Sequence, residues 1–242
     1  MLVALDTSTK YASIALYDGQ AVVGELNWLS GVQHTVQLLP NLERLLSLRQ
    51  LDVGSLRAVA VALGPGSFTG LRVAVSLAKG LCLARGLPFV GVGTLAATAY
   101  AQALVCKQVC ALIDAGRGQL HGALYPAGEQ TWRPEGSSGI LPLADLLGLV
   151  REPTLFCGEA ASQAALIRER LGKLAVIAPP AASVRRAGYL AELAWRRYEA
   201  KDFDDLATVQ PLYLSRPAVP PPRGKSSWSL EQRLHGPGSG GH

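Results

Sequence analysis

Apolar and polar positions alternate in short runs at the start of the chain. Residues 2–6 (LVALD), 11–17 (YASIALY) and 21–29 are β-rich runs broken by turn residues, which predicts a three-stranded meander. Residues 33–48 then switch period, with leucines at 38, 42, 45 and 46 on one helical face. Pro40 interrupts that pattern and is expected to limit or kink the first turns. A continuous apolar run at 58–63 (AVAVAL) predicts a buried strand. A Gly-rich loop, a helix over 69–85 and another strand at 88–92 follow. The order βββαβαβ combines an antiparallel start with parallel strands joined by helical crossovers.

The second half repeats the first. Setting Asp6 on Asp114 aligns VALDTSTKYASIALY with ALIDAGRGQLHGALY, each an apolar strand, an Asp, a small polar turn and a strand ending Ala-Leu-Tyr. Strand 154–157, Gly158 and helix 160–171 echo strand 58–63, Gly64 and helix 69–85. Two features recurring in one order favour an internal duplication. The expected division is an N-terminal subdomain over 1–104 and a C-terminal one over 105–216, closed by a helix at 183–200. Residues 217–242, rich in Pro, Gly and Ser, are expected to be a disordered tail.

Composition supports a large buried core, because 49% of the 242 residues are hydrophobic and 17% are charged. No apolar run is long enough for a membrane span, and MLVALDTSTK lacks the basic start of a signal peptide, so a soluble cytoplasmic protein is expected. The net charge of +5 suggests nucleic acid until it is located. From Arg216 onward, Arg216, Arg223, Lys225 and Arg233 stand against Glu231 alone, so most of the surplus lies in the tail and the body is not strongly basic. Cys82, Cys106, Cys110 and Cys157 sit in apolar surroundings, and no second pair or nearby histidine completes a metal site around Cys106 and Cys110. They read as buried reduced thiols.

Two turns carry candidate chemistry. Asp6-Thr7-Ser8-Thr9 presents hydroxyls and backbone N–H groups that can hold a phosphate or hydrated metal, or can simply satisfy their own backbone. Gly64-Pro65-Gly66-Ser67-Phe68-Thr69-Gly70 follows a buried strand and opens a helix. It matches neither GxxxxGK[ST] nor GxGxxG. It is therefore an anion-capable turn or a turn whose glycines permit close backbone approach.

The helix after that loop is apolar on two sides. Leu71, Ala74, Val75, Ala78, Leu81 and Cys82 cover one side, and Val73, Leu77, Gly80 and Ala84 cover another. Arg72, Ser76 and Lys79 form only a narrow polar stripe between them. Such a helix is buried under its own second half or under a partner.

At these residues the chain resembles the TsaB (YeaZ) family. The likeness runs through LDTST (5–9), HT with LLP (34–40), GPGSFTGLRVAVSLAKGL (64–81), PFVGVGTLAA (88–97), IDAGRGQL (113–120) and PLYLSRP (211–217). The resemblance implies a duplicated actin-like (RNase H-like) α/β fold and a non-catalytic dimerisation or scaffold subunit. The complex it serves forms N6-threonylcarbamoyladenosine in tRNA beside the anticodon. The implied partners are a TsaD-like catalytic paralogue, a TsaE-like ATPase, a second copy when the chain is alone, and tRNA only through the complex. No cofactor is implied for the isolated chain, with ATP or ADP in the assembly. A shared or vestigial nucleotide site would use Asp6, Thr7, Ser8, Gly64, Gly66, Ser67 and Thr69. An interface over helices 33–48 and 69–85 would use His34, Leu38, Leu42, Arg72, Val73, Ser76, Leu77, Lys79, Gly80 and Ala84.

The catalytic paralogue carries GVNHxEGH, a metal-gripping histidine pair, where this chain has Gly91-Val92-Gly93-Thr94-Leu95-Ala96-Ala97-Thr98. Threonines replace both imidazoles, so no metal ligands and no catalytic residues are expected. The paralogue's Gly-Gly-Val-type adenosine loop resembles Gly158-Glu159-Ala160, and the resemblance implies that Glu159 sits where a nucleotide would need close backbone approach. The alternative is an active actin-like ATPase or small-molecule kinase using Asp6 and Asp114. Arg185, Arg186, Arg196 and Arg197 form a basic face with Trp195 and Tyr198 nearby, read as solvated arginines or a tRNA contact.

Overall fold

A computed structural model of the chain describes residues 1–103, 106–116, 118–126, 132 and 136–214. The expected division at 104/105 and the expected disordered tail at 217–242 lie outside those residues.

The first sheet is built from β1 (Leu2–Asp6), β2 (Tyr11–Tyr17), β3 (Val22–Leu29), β4 (Ala58–Gly64) and β5 (Phe89–Gly93), in the order β3-β2-β1-β4-β5. β1 pairs antiparallel with β2, setting Asp6 opposite Ser13, and parallel with β4. The second sheet uses β6 (Gln108–Asp114), β7 (Leu120–Pro126), β8 (Leu141–Pro142), β9 (Thr154–Gly158) and β10 (Ala175–Ile177), in the order β10-β9-β6-β7-β8. The order is the same with each strand advanced by five, and Asp6 and Asp114 end equivalent strands. The duplication read from the sequence is a duplication of topology, and the fold is the expected actin-like α/β arrangement.

Both faces of each sheet are covered, which is why the central strands are apolar without alternation. In β1, Leu2 and Ala4 face the middle of the molecule while Val3 and Leu5 face outward. The outer face of the first sheet carries α1 (His34–Leu48) and α2 (Phe68–Arg85), and that of the second carries α4 (Leu143–Leu149) and α5 (Ala164–Leu171). Between the sheets lie α3 (Thr94–Tyr100) and α6 (Ala187–Glu199).

The middle layer corrects one expectation. The last helix does not close the second half. α6 packs on β1, β2, β4 and β5 of the first sheet, while α3 packs chiefly on β6 of the second. Alanines on both surfaces, Ala4, Ala15 and Ala60 on the sheet and Ala187, Ala191 and Ala194 on α6, permit this close stacking. The chain after α6 also returns to the first half. The N–H of Asp204 donates to Phe89 (3.0 Å) and that of Leu212 to Leu63 (2.7 Å), so residues 204–214 form a strap over the β4–β5 end. Residues 187–214 thus belong structurally to the first half.

α1 runs unbroken through Pro40, contrary to the expected limit on its first turns. Pro40 and Val36, whose carbonyl loses its donor, are both on the exposed side, where water can serve that carbonyl. α2 begins at its cap, where the Ser67 hydroxyl accepts from Gly70 N–H at 3.2 Å, and stops at Gly86 with φ 64°. No helix among the described residues is long and apolar enough to cross a membrane.

Candidate functional site

β1 carries Asp6 to the carboxyl end of the first sheet, where the chain turns on the carboxylate itself. Asp6 Oδ1 accepts from the Ser8 N–H at 2.8 Å and the Ser8 hydroxyl at 2.6 Å. The Gly-rich loop is locked against this turn. Thr7 Oγ1 donates to the Gly70 carbonyl at 2.6 Å, and the Ser67 N–H donates to Ser8 O at 2.7 Å. A Cβ on Gly66 would strike the Ser8 carbonyl, and one on Gly70 the Thr7 carbonyl. Close backbone approach accounts for Gly66 and Gly70, and the Ser67, Gly70 and Leu71 amides have internal acceptors.

His34, the first residue of α1, is also tied to this turn. It is 4% exposed, and its ring is held by the Thr9 backbone close to Asp6. Burial pushes its pKa below the ordinary histidine value, only partly offset by the Thr9 bond and Asp6. Its Nδ1 is buried without a hydrogen-bond partner among the described residues.

A cleft of about 730 Å³ opens between the halves, walled by Ser8, Lys10, Phe68, Asp114, Glu159 and Arg185. The Gly116 N–H donates to Asp114 Oδ1 at 2.7 Å, and the Glu159 carboxylate folds back to accept the Asp114 N–H. Asp6 is not on the cleft wall. It lines an adjoining cavity of about 10 Å³ with Thr98 and Arg185, room for about one water. Arg185 Nε donates to Thr98 Oγ1 at 3.1 Å, and Thr98 donates to the Thr94 carbonyl at 2.7 Å. Asp6 is the one carboxylate lining that cavity, and it shares the space with the Arg185 guanidinium.

Of the seven cleft candidates, Ser8, Gly66 and Ser67 line the cleft. Asp6 is 4% exposed behind them, Thr7 is spent on Gly70, and Gly64 lies beneath the Leu212 carbonyl. Thr69 faces away, into a second depression. Sequence reasoning missed Lys10 and Phe68, although Phe68 stood inside the quoted loop, and it assigned Arg185 to the basic face instead of to this cleft.

The second depression, about 480 Å³, is a groove between α1 and α2 lined by Thr35, Leu39, Phe68, Arg72, Val73 and Leu77, with Leu38, Thr69 and Ser76 completing it. The interface candidates divide here. His34, Leu38 and Leu42 are 4%, 1% and 1% exposed and pack inside their own chain, since the leucine stripe of α1 is the face turned to the sheet. Arg72 Nε donates to the Tyr213 hydroxyl at 3.1 Å and Lys79 Nζ to the Val209 carbonyl at 2.9 Å, so the strap occupies the polar stripe. Val73 and Leu77 are half-buried, and Ser76, Gly80 and Ala84 are exposed. The exposed large apolar residues of α1 are Val36 (68%), Leu39 (44%) and Leu48 (64%), which the sequence reading passed over for the leucines beside them.

The basic face on the last helix is engaged by the body of the protein. Arg186 pairs with Glu25 at 2.6 Å, Arg197 with Asp202 at 2.7 Å and Asp204 at 3.0 Å, and Arg196 donates to the Tyr100 hydroxyl at 2.9 Å. Trp195 turns inward onto Tyr17, edge-on at 5.7 Å.

The model of the TsaD family, tRNA N6-adenosine threonylcarbamoyltransferase, matches residues 29–219. The tRNA threonylcarbamoyladenosine biosynthesis protein TsaB of Bacillus subtilis is 30% identical over 217 residues, covering 88% of this chain and 93% of its own length. The chain belongs to the TsaB (YeaZ) family. It spans 62% of the TsaB protein of Escherichia coli at 33% identity, and 51% of that of Haemophilus influenzae at 38%. The solved structure of YeaZ from Pseudomonas aeruginosa superposes with a TM-score of 0.71 at 26% identity, covering 88% of this chain and 99% of that one. The TsaB resemblance read from LDTST and GPGSFTGLRV therefore holds over most of the described chain.

Proposed function

We propose that this chain is a non-catalytic dimerisation and scaffold subunit of the machinery that forms N6-threonylcarbamoyladenosine in tRNA. It would engage a TsaD-like catalytic partner through the α1–α2 groove, act with a TsaE-like ATPase, self-associate when alone, and meet tRNA through the assembly. The observation that carries this reading is a contrast between its two depressions. In the cleft, Asp6 is sealed behind Ser8 and faces Arg185 across a water-sized cavity, and Glu159 is folded onto Asp114. On the α1–α2 side, Val36, Leu39, Val73 and Leu77 remain wholly or partly open to water.

Leu77→Glu and Ala84→Arg are expected to abolish self-association and TsaD-family binding at unchanged thermal stability. Sedimentation and co-purification measure both, and wild-type assembly by both variants overturns the docking role. The open cleft favours a second reading, an ATPase or kinase using Asp6 and Asp114, with Ser8, Gly66 and Ser67 near the nucleotide. ATP turnover by the purified chain that Asp6→Ala abolishes would replace the first reading by this one. Nucleotide bound only by the assembled complex agrees with a shared site.

A further inference from the structure

The groove between α1 and α2 is lined by apolar side chains and three hydroxyls, and carries one charged group. Arg72 is exposed on its wall, and its guanidinium lies 3.8 Å above the Phe68 ring. Tyr213 locks the arrangement from the other side. Its ring is 4.7 Å from that of Phe68, and its hydroxyl accepts from Arg72 Nε at 3.1 Å. One edge of the guanidinium is thereby fixed, while its two terminal nitrogens have no hydrogen-bond or carboxylate partner among the described residues. An arginine held by stacking has already given up much of its rotamer freedom, so a planar two-oxygen acceptor meets a prepared fork.

The charges on the two helices indicate which partner supplies that acceptor. Glu43 is their one carboxylate, against Arg44, Arg72, Lys79 and Arg85. A second copy of the chain would bring the same positive surplus on its own two helices. A partner of opposite charge would not.

We propose that the α1–α2 groove takes a partner helix that sets a carboxylate against Arg72 within an otherwise uncharged seam, in preference to a second copy of this chain. The inference rests on the docking role proposed above and adds the partner's chemistry. The strap has a part in it. By holding Tyr213, residues 204–214 aim the arginine that reads the partner.

The test titrates the full chain against the full-length TsaD-family protein of the same organism at low and high salt, with self-association followed separately by sedimentation. Arg72→Ala is expected to weaken the mixed complex at least about tenfold and flatten its salt dependence. Arg72→Lys should recover only part of this, because an ammonium lacks the fork. Tyr213→Phe, which keeps the ring on Phe68 and removes the acceptor, should lose about threefold. Self-association of Arg72→Ala should be unchanged or tighter. If Arg72→Ala binds like wild type while Leu77→Glu does not, the carboxylate assignment is wrong and the docking role stands. If Arg72→Ala weakens self-association as much as mixed binding, the occupant is a second copy and the proposal fails. If neither variant differs from wild type, or wild type does not bind, the docking role fails with it.

Discussion

The hydroxyl of Thr7 reaches 2.6 Å to the carbonyl of Gly70, joining the first turn of the chain to the first turn of α2. Both residues are buried, so the bond is shielded from exchange with water. Thr7→Val keeps the shape and removes the donor, and is expected to cost about 1–2 kcal/mol. Gly70→Ala drives a methyl into the Thr7 carbonyl and should cost about 3 kcal/mol. Urea unfolding measures both, and wild-type midpoints for the pair would contradict the brace.

The buried histidine beside this turn makes stability depend on pH in one direction. Burial holds the His34 pKa below its unfolded value of 6.5, so the unfolded chain binds the extra proton. The contribution is complete above about pH 6.5 and is lost as pH falls through the lower folded value, by at most about 1.4 kcal/mol per pH unit. His34→Gln should flatten this part of the stability profile between pH 7.5 and 5.5. A variant profile parallel to the wild type would show that His34 does not titrate on unfolding.

Much of this was legible in the sequence, and the losses have physical causes. The order of elements along the chain followed from apolar runs and turn residues, and the repeat from the paired Asp turns, because both are local. The exchange of α3 and α6 between the sheets was invisible, since alanine-rich faces fit either sheet and periodicity does not say which. The α1 stripe was read as an interface when Leu38 and Leu42 are the inward face. A helix seen from sequence has an apolar side but no direction. Arg185 was read as part of the basic face and not at the cleft for the same reason, as its partner Thr98 lies 87 residues away.

Gly80 is helical, exposed and has no atom within 4 Å of where a Cβ would be. Gly80→Ala should stabilise the isolated chain by about 1 kcal/mol through helix propensity alone, read as a raised Tm. Gly80→Leu should keep that fold yet weaken assembly if another helix approaches closely there. A lowered Tm for Gly80→Ala would reveal a contact within the chain.

The cysteines are graded by burial. Cys82 and Cys157 are buried thiols pushed up to about 11 and about 12, and burial also raises the Cys110 thiol well above its ordinary value, whereas Cys106 is half-buried. A maleimide reagent at pH 7.5 should label Cys106 in the native protein and the other three only in denaturant. Rapid native labelling at Cys82 would mean that α2 opens away from the sheet.

The crossing of α3 and α6 bears on how such a chain can be divided. A fragment ending before β6 would leave the inner face of its sheet without α6, and one starting there would lack α3. Each would present a broad oily wall to water and precipitate rather than fold. Split reporters and circular permutants of this protein should therefore be cut at surface loops within a lobe, never at the midpoint that the repeat seems to offer.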